Sequence, residues 1–184
     1  MIKKIILLIV SALFFIGCSS ARKTVDYENI ATNYVNQIKS ENLKTNLTII
    51  ASDEMEGRET GSNGQKKAGN YIIEQYKNAG ISFPNGATSY YQNVPASFLN
   101  AKRNLNLQDS ENIWSFIEGS DKKDEIVVVS AHYDHVGIEN GEIHNGADDD
   151  GSGTVALIEI AKAFQKAKNE GNGPRRSILI LHVT

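Results

Sequence analysis

The chain has 184 residues, 40% apolar and 22% charged, with a formal net charge of −3. That is enough sequence for one packed domain, and the ordinary apolar content with only three prolines argues against disorder. The mild acidity gives no reason to expect nucleic acid as a partner, and a single cysteine excludes an internal disulfide or a thiolate metal cluster.

The first residues read as an export signal. Lys3 and Lys4 form a basic start and Ile5 to Ile16 an apolar run broken only by Ser11. Such a run is short for a membrane span and suits a secretory signal. It leads into Gly17-Cys18-Ser19-Ser20, which resembles a bacterial lipobox; an incidental cysteine in an ordinary signal peptide is the alternative. The lipobox reading implies cleavage before Cys18 and lipidation of its thiol and amine. Residues 1–17 are then signal peptide, 18–25 lipid anchor and tether, and 26–184 the domain. Membrane attachment would come from the lipid and not from a basic surface.

Helices are predicted over Tyr27 to Lys39, with Ile30, Tyr34, Val35 and Ile38 on one buried face, and over Leu43 to Ala51. Ser52 to Gly64 is polar and Gly-punctuated, hence a loop. Gln65 to Ala79 is a helix with Ala68, Tyr71, Ile72, Tyr76 and Ala79 on one face, and Gly80 suits its left-handed end. Tyr90–Phe98, Arg103–Leu107 and Asn112–Glu118 read as strands, Asp121–Asp124 as a solvated turn. Ile126 to Ala131 is almost continuously apolar and β-branched, as expected of a strand covered on both faces. Thr154 to Lys168 is an amphipathic helix with Leu157, Ile160, Ala161 and Phe164 inward and Glu159, Lys162 and Lys166 outward. After a turn at Gly171–Pro174, Ser177 to Val183 is a second buried strand. Strand, helix and strand in this order form a βαβ unit with parallel strands, and open α/β folds put chemistry at the strand C-termini.

Two motifs lie there. His132-Tyr133-Asp134-His135-Val136-Gly137 follows the first strand, and Gly146-Ala147-Asp148-Asp149-Asp150-Gly151-Ser152-Gly153 opens the helix. Asp134, two residues after His132, leaves an extended chain on the same face. It is placed to orient a metal-binding imidazole through the other ring nitrogen. Three consecutive aspartates repel one another unless a cation or a helix N-terminus compensates. The residues alone leave a metal loop and a solvated acidic turn with an N-cap both open. His135 and His144 read as rim residues, and His182 as a strand residue without function. Arg58 and Glu56 read either as an ion pair at the entrance loop or as a plain surface pair of little weight.

These motifs carry a family resemblance, together with Leu157-Ile158-Glu159-Ile160-Ala161-Lys162-Ala163-Phe164, Ala51 to Arg58, Thr60-Gly61-Ser62 and the helix after it, and Arg176-Ser177-Ile178-Leu179-Ile180. They resemble the co-catalytic zinc aminopeptidases, metallopeptidase family twenty-eight, with relatives like the glutaminyl cyclases. The resemblance implies an α/β fold, with a mixed, largely parallel sheet sandwiched between helices, C-terminally incomplete here. It implies two zinc ions, with His132 a terminal ligand, Asp149 the bridging carboxylate, Asp134 orienting His132, and a cis peptide between Asp149 and Asp150. The implied activity is removal of N-terminal residues from peptides with a free N-terminus, and the lipobox reading places it in the bacterial cell envelope, at the outer membrane. A cyclase-like acyl transferase and an inactive envelope lipoprotein are the alternatives. The family's general-base glutamate follows the strand resembling Arg176–Val183, so this chain is expected to lack it and the remaining ligands. The 184 residues alone are then expected to be inactive, with the Ser177–Val183 strand left as an unpaired apolar edge.

Overall fold

A computed structural model of the chain describes residues 26–101 and 106–184. The expected signal peptide, Cys18 and the expected tether lie outside the described residues, as does most of the strand expected over Arg103–Leu107; Asn106 and Leu107 are not in a strand. No helix among the described residues is long and apolar enough to cross a membrane.

In chain order the elements are α1 (Tyr27–Val35), α2 (Ser40–Ile50), a 3-10 turn (Asp53–Arg58), α3 (Asn63–Asn78), β1 (Tyr91–Val94), α4 (Ala96–Leu99), β2 (Ser110–Ile117), β3 (Lys122–His132), β4 (Gly137–Glu139), β5 (Glu142–His144), α5 (Ser152–Asn169) and β6 (Arg176–Val183). The main sheet runs β1-β2-β6-β3 and is mixed. β3 and β6 are parallel, in register from Ile126 opposite Ser177 to His132 opposite Val183. β2 is antiparallel to both β6 and β1. One of the three pairings in the main sheet is therefore parallel, and it is the one that the βαβ pattern predicts.

The core lies on one face of this sheet. Ile113 and Ile117 of β2 and Ile178 and Ile180 of β6 pack with Ala68, Ile72 and Tyr76 of α3 and with Val155, Ile158 and Ala161 of α5. Each fully buried side chain of this size contributes roughly 1.5–3 kcal/mol. The alternate residues Trp114, Phe116, Leu179 and Leu181 are only half-buried. β6 is central, paired on both sides, and not the open edge expected. Among the described residues the sheet's edges are β1 and β3, and on β3 Ile126, Val127 and Val128 are 55%, 45% and 53% exposed, so the reading of this strand as covered on both faces is overturned.

Local chemistry explains the helix ends. Ser62 Oγ accepts from the Gln65 N–H, and Gln65 Oε1 accepts from the Gly61 N–H at 2.6 Å. These contacts start α3 at Asn63, two residues before the start expected at Gln65. Gly80 sits at φ +71° past its C-terminus, where the Ile81 N–H reaches the Tyr76 carbonyl. α1 is shorter than expected and buries nothing, with Val35 exposed. α5 is covered on two sides, by the sheet and by α2. Glu159, expected to face out, is therefore buried, accepting from Asn46, Asn42 and Lys162 at 2.9–3.2 Å. The turn expected at Asp121–Asp124 is absorbed into β3 through a register shift between Lys122 and Ile126.

Candidate metal centre

The parallel pair delivers two loops to one place. β3 ends at His132, and the chain returns through the β4–β5 hairpin, turned at Asn140-Gly141, to the Ala147–Gly151 turn that starts α5. Both turn residues have positive φ, as an Asn-Gly hairpin turn requires. This hairpin replaces the plain loop expected, and the Asn-Gly pair between isoleucines is the signal that could have found it.

Across this gap His132 Nε2 lies 3.0 Å from Asp149 Oδ1. On the other side of the ring, Nδ1 faces the Asp134 carbonyl at 3.1 Å and its carboxylate at 3.3 Å. A proton on Nδ1 satisfies both acceptors there, and Nε2 bonds to the Asp149 carboxylate only when it too carries a proton, so the two sides together favour the charged ring. Partial burial of His132 opposes its charge. The Asp134 carbonyl and carboxylate, then Asp150 and Asp149, outweigh that and raise its pKa. Thr60 Oγ1 donates to Asp134 Oδ2 at 2.6 Å, fixing the carboxylate that faces the ring. His135 Nδ1 lies 3.7 Å from Asp149 Oδ2, so the two oxygens of Asp149 face two different imidazoles. The Asp149 side chain itself is 71% exposed, and the Asp149–Asp150 peptide is cis.

Asp150 does something different. Its Oδ1 accepts from the Gly153 N–H at the start of α5, and its Oδ2 accepts from the His132 N–H. It thereby ties the strand end to the helix N-terminus, a site that favours negative charge. Asp148 is exposed, and its carbonyl accepts from Ser152 Oγ.

Behind His132 a chain of hydrogen bonds runs into the core. Thr154 Oγ1 donates to the His132 carbonyl at 2.9 Å. With that proton spent, the contact of His182 Nδ1 with Thr154 Oγ1 at 3.4 Å requires Nδ1–H to donate. His182 Nε2 then accepts from the Tyr76 hydroxyl at 2.6 Å. Both rings are fully buried, and burial drives the His182 pKa down to about 3, so the ring is neutral.

Sequence reasoning placed Thr60 in the family motif without a role, missed Thr154, whose hydroxyl gives no pattern of its own, and misplaced Arg58. Glu56 pairs with Lys67 at 2.6 Å, while Arg58 is wholly buried and bonded to main-chain carbonyls. Glu139 and Glu142 face each other across the exposed hairpin, away from any fixed role.

The imidazole nitrogens and carboxylate oxygens of His132, His135 and Asp149 are donors that zinc accepts. Among the described residues, however, no group of three His, Cys, Asp or Glu comes together to hold a metal. The donor types fit zinc, and their number falls short of the roughly three or four protein ligands it takes.

The fold is that of the zinc-aminopeptidase-like α/β proteins. A leucine aminopeptidase precursor from Bacteroides thetaiotaomicron superposes with a TM-score of 0.59 at 19% identity, over 80% of this chain and 47% of that one. Glutaminyl cyclase from Porphyromonas gingivalis superposes with a TM-score of 0.62 at 17% identity, over 79% and 47%. The sequence narrows the class: residues 112–184 match the model of peptidase family M28, which shows the resemblance for that segment, the loops of His132 and Asp149 included. A vacuolar membrane protease of Paracoccidioides brasiliensis is 37% identical over 73 residues, 40% of this chain and 7% of that protein. The chain thus spans under half the length of these solved relatives and a small part of the fungal one.

Proposed function

We propose that this chain is part of a zinc-dependent aminopeptidase, in which His132 and Asp149 are metal ligands and Asp134 orients His132. The observation that carries the reading is the convergence of His132 Nε2 and Asp149 Oδ1 to 3.0 Å at the end of a parallel strand, within the stretch that matches a peptidase family. Zinc held there would supply Lewis acidity and a water acidified toward neutrality. The chain's own part is to present donors. Asp134 occupies the Nδ1 side of His132 so that Nε2 faces the centre, and Asp149 offers one oxygen toward His132 and the other toward His135. The remaining ligands and the general base come, in this reading, from sequence that these 184 residues do not contain. The substrate is a peptide with a free N-terminus. Lipidation at Cys18 would hold the protein at the bacterial envelope.

The test is release of a chromogenic amine from amino-acid anilides by the whole protein. Activity abolished by chelation, restored by zinc and lost in Asp149→Ala supports the reading. A protein that leaves the anilides intact and cyclises peptides with N-terminal glutamine would replace it with the acyl-transferase reading, which the structural likeness to glutaminyl cyclase keeps in play. The 184-residue chain alone is expected to show no turnover and no tight zinc binding by calorimetry; tight binding of two zinc ions would overturn the view that its ligand set is incomplete.

A further inference from the structure

Arg58 is 0% exposed, at the heart of the loops just described. Four contacts of its guanidinium end on main-chain carbonyls: Nε on Tyr133 at 2.7 Å, Nη1 on Ile50 at 2.6 Å and Asn145 at 2.7 Å, and Nη2 on Gly146 at 2.8 Å. No carboxylate among the described residues pairs with it directly. A cation buried among neutral carbonyls is costly unless dipoles and nearby anions compensate. Burial lowers the Arg58 pKa, and the carboxylates whose fields oppose this are Asp134 and Asp149.

The choice of carbonyls is informative. Tyr133 lies between His132 and Asp134. Asn145 and Gly146 lead directly into Asp148–Asp150, and Ile50 ends α2. One rigid fork therefore holds the strand end that carries His132 and the turn that carries Asp149. The main chain of the same segment adds to the grip. The Arg58 carbonyl accepts from the His135 N–H at 3.0 Å, and Thr60 holds Asp134 two residues on. Arg58 enters this position at φ +55°, directly after Gly57, whose missing Cβ would meet the Gly137 carbonyl at 2.4 Å.

We propose that Arg58 is a positioning residue of the metal centre: it sets the separation of the His132 and Asp149 loops before any metal arrives, and its charge offsets the carboxylates in the metal-free protein. The proposal rests on the metal reading of His132 and Asp149. Lysine cannot substitute, because one ammonium lacks the planar fork that reaches several carbonyls at fixed angles.

Amide hydrogen exchange of the metal-free chain tests it, comparing wild type with Arg58→Lys and Arg58→Gln. The His135 and Gly151 amides, bonded to the Arg58 and Gly146 carbonyls, should exchange about tenfold faster or more, while the β2–β6 amides keep their protection. Uniform acceleration, no acceleration, or loss of the fold in both variants would each overturn the proposal, the last two showing that Arg58 is dispensable or serves folding alone. Cobalt(II) titration of the whole protein, followed by paramagnetic broadening of the His132 and His135 ring signals, provides the second arm. Arg58→Lys should need roughly tenfold more cobalt, as for loss of a group that orients ligands. Unchanged cobalt demand would refute the role of Arg58, whereas a whole wild-type protein whose ring signals never broaden would refute the metal reading itself.

Discussion

Lowering the pH should destabilise this fold through one side chain, His182. Its imidazole is fully buried with Nε2 occupied by the Tyr76 hydroxyl, and its pKa falls to about 3. In the unfolded chain the same ring titrates near about 6.5. Above that value neither state binds the proton, so His182 makes no pH-dependent contribution. As the pH falls below it, the unfolded state takes up a proton that the native state refuses until about pH 3, and stability declines across that window. At pH 5 the gap is about 1.5 pH units, and at about 1.4 kcal/mol per unit the loss from this residue is about 2 kcal/mol. Urea denaturation at pH 7.5 and pH 5, followed by circular dichroism, measures it. With an m-value of about 1–3 kcal/mol per molar, the wild-type midpoint should drop by roughly 1 M more than that of His182→Gln, which carries every other titrating group but not this one. Parallel pH profiles for the two proteins, or an NMR titration of His182 in the folded protein near its ordinary value, would refute the reasoning.

Two more outcomes follow from the contacts around the site. Thr154→Val should cost about 1–3 kcal/mol in urea unfolding, because the His132 carbonyl loses its hydroxyl donor while the side-chain volume is kept; unchanged stability would mean that another donor replaces it. Gly57→Ala and Gly80→Ala both force a Cβ onto a residue at positive φ, about 1–2 kcal/mol each. Only Gly57 also drives that carbon into backbone, the carbonyls of Gly137 and His144, whereas Gly80 has open space around it. Gly57→Ala should therefore lower the melting temperature far more than Gly80→Ala, and equal losses would show that conformation and not crowding decides.

Much of this architecture was legible because periodicity and chain order reflect burial directly. Ala68, Ile72 and Tyr76 recur at helical spacing and are all fully buried. Ile126–Ala131, the helix at Thr154 and Ser177–Val183 make a crossover that pairs in parallel as read. The sequence pattern misled where burial depends on a distant partner. A β-branched run says that a strand forms, not whether a neighbour covers it, so the exposure of Ile126 to Val128 could not be seen in it. Glu159 looked outward on a wheel drawn for one packed face, but α2 covers the second. The site divides the same way. His132 and Asp149 stand out by residue type and meet as the motif suggests. Arg58 and Thr60 do not, because their partners are backbone carbonyls and a carboxylate some 75 positions along the chain, distances that no local pattern encodes.

The outer strand of the sheet also has a consequence for handling the protein. Lys123, Asp124 and Glu125 guard only its beginning; from Ile126 onward no strand among the described residues pairs with its outer side, and Ile126, Val127 and Val128 are exposed there. Edges of this kind recruit other chains by adding them as extra ribbons. Produced at high concentration, these 184 residues would associate through that rim, and a charged residue placed at Val128 should keep them monodisperse.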